Sequence, residues 1–146
     1  MKDLMFVCTG NTCRSPMAEG LSKKYLKTWG HINSRGLSAS YGQGANLKSI
    51  IAMDMEEVNI RGHIAQRFSI EEIVATTVIL TMTSGHKDYL LAYYPELKGQ
   101  VTTLLAYVGL SGQVSDPYGG TQDAYNECAK LIKKAVLRLD DSSNLP

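Results

Sequence analysis

The sequence contains no hydrophobic run as long as a membrane-spanning helix requires. Too few apolar residues precede Thr9 to form the hydrophobic region of a secretory signal peptide. The chain also lacks a G-x-x-x-x-G-K-[ST] nucleotide loop and any Cys/His spacing typical of zinc sites. Its formal net charge is only +1, so it has no bulk signature of a nucleic-acid-binding protein. We therefore predict no membrane, nucleic-acid or metal partner.

Cysteine is scarce as well. The chain has three cysteines, two of them five positions apart, which is a poor basis for a disulfide framework. This usage favours a reducing compartment and predicts a cytoplasmic protein. The length of 146 residues predicts a single domain spanning 1–146, with a flexible tail over about 140–146.

The most informative segment is Cys8–Ser15, with the sequence CTGNTCRS. The apolar run before it, residues 4–7, predicts a buried strand. Ser15 and Pro16 predict the start of a helix, with the serine at the N-cap and the proline at the first helical position. Cys8 is therefore expected at the end of a strand, in a loop that closes onto a helix N-terminus.

Such a loop favours a bound anion, because backbone N–H groups and the first turn of the helix converge on one point. The same field favours the thiolate form of Cys8. Arg14 carries a planar fork of donors that matches two phosphoryl oxygens, while Gly10 and Asn11 tolerate the left-handed backbone that such a loop requires. A thiolate beneath a bound phosphate is a nucleophile positioned to attack phosphorus. The alternative is a buried structural cysteine beside a capped helix.

Along the rest of the chain, strand patterns alternate with helix patterns. Strands are expected within 4–7, 31–37, 78–82 and 101–105, and helices within 15–28, 47–58, 69–72, 84–94 and 125–139. This alternation predicts an α/β fold: a single three-layer domain with a four-stranded parallel sheet, helices on both faces and a phosphate-binding loop after strand 1. Ligands bind at the carboxyl ends of the strands in such sheets, where Cys8 is expected.

A second candidate segment, Asp116–Gly120 with the sequence DPYGG, lies in the long loop over 109–120. Displacement of a group from phosphorus requires a proton donor, and a loop carboxyl such as Asp116 can supply it. Pro117 fixes the backbone after the aspartate, and the glycines allow a close turn. By itself this segment is also typical of an ordinary turn.

The chain resembles the low-molecular-weight protein tyrosine phosphatases over nearly its whole length. The resemblance rests on CTGNTCRSPMAE at 8–19, SRG at 34–36, GH at 62–63 and DPYGG at 116–120. It implies that Cys8 forms a phosphocysteine, that Arg14 clamps the phosphoryl oxygens, and that Asp116 is the general acid and then the base. The rest of the phosphate-binding loop would be Thr9, Gly10, Asn11, Thr12, Cys13 and Ser15.

The resemblance also implies supporting roles. Ser34 and His63 would join the hydrogen bonds that hold the loop, and Cys13 would trap an oxidised Cys8 as a disulfide. No metal and no other cofactor is implied. The expected partners are phosphorylated protein substrates, and the expected oligomeric state is a monomer.

Thr12 is predicted to set the substrate. Tyrosine-directed members usually have an aliphatic residue at this position. The chain is similar here to the bacterial protein-arginine phosphatases, in which the threonine favours phosphoarginine. A smaller polar residue could hold a water or orient a planar guanidinium. Tyr41 and Tyr118 are the other candidate discriminating residues; Tyr41 could stack on a phenol, as in the alternative phosphotyrosine-directed enzyme.

A third hypothesis is an arsenate reductase, which shares this fold and loop. Those enzymes use two more cysteines near the end of the third strand, and residues 80–87 contain none. A non-catalytic phosphate-binding module would need neither Cys8 nor Asp116. His31 and His86 have no motif partner and are predicted to be surface or helix-end residues.

Overall fold

The sheet has four parallel strands in the order β2-β1-β3-β4. The computed structural model describes residues 1–142. The strands are β1 (Asp3–Cys8), β2 (Ile32–Gly36), β3 (Thr77–Thr81) and β4 (Val101–Thr103). The helices are α1 (Arg14–Tyr25), α2 (Leu47–Asp54), α3 (Ser84–Tyr93), α4 (Leu104–Tyr107), α5 (Gln122–Val136) and α6 (Leu139–Ser142), with 3₁₀ turns at Ile70–Glu72 and Pro95–Leu97. The predicted α/β fold is confirmed.

The central strand β1 is buried on both sides, as parallel strands usually are. Its side chains alternate between the two faces of the sheet. Leu4, Phe6 and Cys8 join the core formed with α1, α2 and α5, whereas Met5 and Val7 join the core formed with α3. This alternation places the Cys8 side chain on the α1 face.

Helix α1 attaches the site to the larger core. Met17 and Leu21 are fully buried against the sheet, and each contributes about 1.5–3 kcal/mol by leaving water. The helix begins at Arg14, and its N-cap residue is Cys13, which makes no side-chain cap. The predicted Ser15 cap is therefore wrong, because the Ser15 hydroxyl bonds to Cys8 and Asn11 instead.

Several predicted boundaries also differ; the terminal helix, for instance, spans Gln122–Val136 rather than 125–139. α1 ends at Tyr25 rather than at residue 28. Just beyond its end, the backbone N–H groups of Lys27 and Thr28 donate to the Asp140 carboxylate instead of continuing the helix. α2 ends at Asp54 rather than at residue 58, because Glu57 turns the chain with φ 57°.

β4 ends at Thr103 rather than at residue 105. The Thr103 hydroxyl accepts a hydrogen bond of 3.2 Å from the Ala106 N–H and starts α4. At the chain end, Leu139 is buried and Leu139–Ser142 form a short helix. The rest of the tail that was predicted from about residue 140 comprises residues 143–146, which lie outside the described residues. Within residues 1–142, no helix is both long and apolar enough to span a bilayer.

Candidate active site

The segment from Cys8 to Ser15, called here the 8–15 loop, connects β1 to α1 at the carboxyl edge of the sheet. Neighbouring segments bond to its backbone carbonyls: the Ser38 N–H donates to Thr9 and the Asn46 N–H donates to Thr12, at 2.9 and 2.8 Å. Asn11 has φ 56°, a left-handed conformation that asparagine adopts more readily than most residues. Gly10, for which the same conformation was expected, does not adopt it. The loop is therefore held in one tight curve.

A buried chain of hydrogen bonds ends on Cys8. Ser34 Oγ lies 2.6 Å from the Glu19 carboxylate and so donates to it, which leaves Ser34 to accept from Asn11 Nδ2 at 2.9 Å. The same Asn11 amide also donates to Ser15 Oγ at 2.9 Å. Ser15 is then free to donate to Cys8 Sγ at 2.9 Å. The chain therefore places a hydroxyl that keeps its own proton beside the Cys8 sulfur.

Asn11 is also fixed through its other polar atoms. His63 Nε2 donates to its backbone carbonyl at 2.6 Å, and the Gln66 N–H donates to its side-chain oxygen at 3.0 Å. The Asn11 side chain is fully buried. The structure thus brings Ser34 and His63 to the loop.

Arg14 lies in the first turn of α1 and is 4% exposed. Its Nη1 donates to the Val114 carbonyl at 3.0 Å, and its Nη2 lies 3.7 Å from Asp116 Oδ2. Its Nε is buried and has no hydrogen-bond partner among the described residues. A buried donor on a cation is costly to leave unpaired, so this guanidinium is suited to a bound anion.

Asp116 is 51% exposed and reaches Arg14 from a loop far along the chain. Its Oδ1 accepts from the Tyr118 N–H at 3.0 Å, a local turn that fixes the carboxylate. The loop is held at both ends: the Val114 N–H donates to the Met82 carbonyl, and Lys48 Nζ donates to the Gly120 carbonyl. Asp116 can therefore exchange protons with solvent while staying beside the buried cation.

Thr12 is partly exposed, and its hydroxyl lies 3.8 Å from Cys13 Sγ. Cys13 is buried, with its sulfur 3.6 Å from the Tyr125 hydroxyl. Burial, together with this contact, holds the pKa of Tyr125 above its ordinary value. Tyr41 and Tyr118, the two candidate discriminating aromatics, are 81% and 75% exposed.

The three cysteines differ in surroundings, and all three are free thiols. Burial on α5 raises the pKa of Cys128 to about 12, so this thiol stays protonated near neutral pH. No described group of three or more His, Cys, Asp or Glu side chains is arranged to hold a metal ion.

His86 is the residue that sequence reasoning missed. It lies in the first turn of α3, as a helix-end residue, but its ring is buried and its Nε2 is 2.9 Å from Thr9 Oγ1. Burial, followed by the Arg14 charge, lowers its pKa to about 4. The available signal was Thr83 three residues earlier, because that spacing is typical of a capping box.

These elements give the site three chemical capacities. It presents a thiol sulfur in hydrogen-bond contact with a hydroxyl, a tight loop that closes onto a buried guanidinium with an unpartnered N–H, and a half-exposed carboxyl beside that guanidinium. Such a set suits transfer of an oxyanionic group to sulfur, with the carboxyl available for proton transfer.

Comparison with known proteins gives consistent matches over almost the full length. A sequence profile described as low molecular weight phosphotyrosine protein phosphatase matches residues 3–143. A low molecular weight protein-tyrosine-phosphatase, PtpB, from Staphylococcus haemolyticus (strain JCSC1435) is 43% identical over 140 residues, which cover 96% of this chain and 99% of that protein. A protein-arginine-phosphatase from Geobacillus stearothermophilus is 36% identical over 138 residues, covering 93% and 92%. A solved structure of YwlE arginine phosphatase from Geobacillus stearothermophilus aligns with a TM-score of 0.90 and 34% identity, covering 97% of this chain and 92% of that one.

Proposed function

Since the chain belongs to the low molecular weight phosphotyrosine protein phosphatase family, a family of cysteine-based phosphatases, we propose that it hydrolyses phosphorylated arginine side chains of proteins. The reaction has two steps, with a covalent phosphocysteine on Cys8 between them. Arg14 and Asp116 are its other catalytic residues.

In the first step Cys8 Sγ attacks phosphorus, so that an S–P bond forms and the P–N bond of phosphoarginine breaks. The hydrogen bond from Ser15 stabilises the attacking thiolate. Arg14 Nε and the N–H groups of the 8–15 loop bind the phosphoryl oxygens. Asp116 gives its proton to the departing guanidino nitrogen, which leaves without building negative charge.

In the second step a water molecule attacks the phosphocysteine. Asp116, now a carboxylate, takes a proton from that water while the new P–O bond forms and the S–P bond breaks. Phosphate leaves, and Cys8 returns as the thiolate that Ser15 stabilises. One carboxyl therefore serves both steps: the proton that it gives in the first step is replaced by the proton that it takes from the water in the second, and its partial exposure lets that water reach it.

The observation that supports phosphoarginine is Thr12. It is partly exposed within the 8–15 loop, where it presents a short polar side chain instead of an aliphatic one. Asp116 supports the same substrate, because a carboxylate can bond the guanidinium that it releases. The similarity to an arginine phosphatase, 36% in sequence and a TM-score of 0.90 in structure, is consistent with this reading.

Phosphotyrosine is the second candidate substrate. Tyr41 is highly exposed and could stack against a phenol ring, and the 43% identical relative is named a protein-tyrosine-phosphatase.

The deciding experiment compares kcat/KM for matched phosphoarginine and phosphotyrosine peptides. We expect the wild-type enzyme to favour phosphoarginine. Thr12→Ile adds apolar bulk and should shift the ratio toward phosphotyrosine by about 10–200-fold, the range of ordinary pocket discrimination. Thr12→Val is the matched control, because it keeps the size of threonine and removes only the hydroxyl. A wild-type preference for phosphotyrosine, with a ratio that Thr12→Ile leaves unchanged, would favour the second candidate.

The setting of the enzyme is part of the proposal. A protein phosphatase acts on phosphorylated proteins, and three buried free thiols are consistent with the reducing cytoplasm. We place it there as a monomer that needs no metal or other cofactor. Cell fractionation tests the location, light scattering tests the mass in solution, and retention of activity after dialysis against a chelator tests the cofactor requirement.

A further inference from the structure

His86 bonds both to the helix that carries it and to the 8–15 loop. Its Nδ1 lies 3.3 Å from the Thr83 N–H, and its Nε2 lies 2.9 Å from Thr9 Oγ1. The ring is 8% exposed, although α3 begins at the surface with Ser84 and Gly85. A buried imidazole with both nitrogens engaged is fixed in place.

The two contacts determine where the ring proton lies. A backbone N–H can only donate, so Nδ1 must accept from Thr83 and carry no proton. In the neutral ring the proton is then on Nε2, which donates to Thr9 Oγ1. The Thr9 hydroxyl, having accepted this bond, keeps its own proton to donate elsewhere.

The charges around the ring are consistent with a neutral imidazole. The Arg14 charge disfavours a second proton on the ring, and Asp116, in the loop over 109–120, favours one with a smaller effect. Burial has the largest effect, and the pKa falls to about 4. The ring is therefore neutral at pH 7, which Nδ1 requires in order to accept.

We propose that His86 is a positioning residue of the catalytic reaction: its Nε2–H fixes the Thr9 hydroxyl so that the hydroxyl proton is donated to the bound substrate. The inference rests on the proposed phosphatase function, in which Thr9 lines the phosphate-binding loop next to Cys8. Thr9 itself is exposed, so substrate can reach its hydroxyl. Helix α3 thereby acts on the reaction without touching the substrate.

The test uses side chains that reproduce one or both contacts of the imidazole. His86→Gln offers an acceptor for the Thr83 N–H and a donor that can reach Thr9, and glutamine is a normal capping-box residue at this position. His86→Asn can keep the contact to Thr83 but is too short to reach Thr9. Thr9→Val removes the hydroxyl, and the double variant His86→Asn with Thr9→Val completes a double-mutant cycle.

The readout is kcat/KM for p-nitrophenyl phosphate, together with thermal unfolding of each variant. Loss of one hydrogen bond predicts a decrease of about 3- to 10-fold for His86→Asn and for Thr9→Val. His86→Gln should restore most of the activity, and the double variant should be no slower than Thr9→Val alone. In wild-type protein, ¹⁵N NMR of the ring should show the neutral tautomer with its proton on Nε2 at pH 7.

If the wild-type protein turns over substrate normally, three results would each overturn the inference. The first is a loss of kcat/KM in the double variant equal to the product of the two single losses. The second is a His86→Gln variant no more active than His86→Asn, and the third is a ring proton on Nδ1. If His86→Asn does not fold, the glutamine variant, Thr9→Val and the NMR tautomer still decide. Absence of phosphatase activity in the wild-type protein would contradict the proposed function itself, which is a separate outcome.

Discussion

Gly36 is the position where the smallest addition to the chain should disturb the site most. It ends β2 and pairs with Cys8, which brings its Cα against the 8–15 loop. A Cβ at Gly36 would lie 2.7 Å from the Thr9 carbonyl oxygen and 2.9 Å from the Asn11 backbone nitrogen. Both atoms belong to the backbone of the loop, so neither can move aside as a flexible side chain would. Gly36→Ala is therefore a direct test of how closely β2 supports the loop.

The size of the effect follows from these distances. Ordinary contact begins at 3.4 Å, so the loop backbone would have to retreat by about 0.7 Å. Overpacking of this kind costs about 1–3 kcal/mol, which lowers Tm by about 3–12 °C for a domain of this length. A displacement approaching 1 Å at a catalytic loop can reduce the rate by up to about 100-fold. We therefore expect a loss of activity larger than the loss of stability alone would produce.

The assay measures Tm and, well below the lower Tm, kcat/KM for an aryl phosphate. Gly44→Ala is the matched control, because a Cβ there would have no atom within 4 Å. That control should retain wild-type kcat/KM, with Tm unchanged or slightly raised since alanine restricts the unfolded chain. Wild-type Tm and kcat/KM in Gly36→Ala would refute the argument from close contact.

Three further predictions concern the catalytic groups. Cys8→Ser should abolish release of p-nitrophenol from its phosphate ester while leaving phosphate binding, followed by ³¹P NMR, largely intact; near wild-type turnover would rule out the covalent intermediate. Asp116→Asn should lower kcat by about 10²–10⁴-fold for poor leaving groups and less for good ones, since a good leaving group needs little help from an acid. An equal loss across a leaving-group series would mean that Asp116 only positions the substrate. Peroxide should inactivate the enzyme reversibly through a Cys8–Cys13 disulfide, detected by peptide mapping, whereas irreversible sulfinic acid on Cys8 would contradict this expectation.

Local patterns were sufficient to predict the architecture. The apolar run of β1 and the helix signals that follow it predict a strand and a helix at nearly the observed residues. Alternating strands and helices predict a parallel sheet. In such a sheet the ligand site is expected at the carboxyl ends of the strands. The loop around Cys8 could be predicted for the same reason, because it lies within eight consecutive residues.

Contacts between distant segments were harder to predict. The capping box formed by Thr83 and His86 is a local signal, but the contact of His86 with Thr9 depends on how β1 and β3 align. The role predicted for Ser15 at the helix cap was wrong because its hydroxyl bonds to Cys8, a contact that the preference of serine for N-cap positions does not reveal. The end of α1 depends in the same way on Asp140, more than a hundred residues away.

The conformation of Asn11 limits which residues an engineer could place in this loop. The position requires a residue that accepts φ 56°, two amide protons for Ser15 and Ser34, and an oxygen for the Gln66 N–H. Glycine meets only the first requirement, aspartate lacks the two protons, and glutamine is one methylene too long for the same hydrogen bonds. Redesign of the loop for a different oxyanion would therefore have to keep Asn11 or replace Ser15 and Ser34 together with it. These three positions can be changed only as a set.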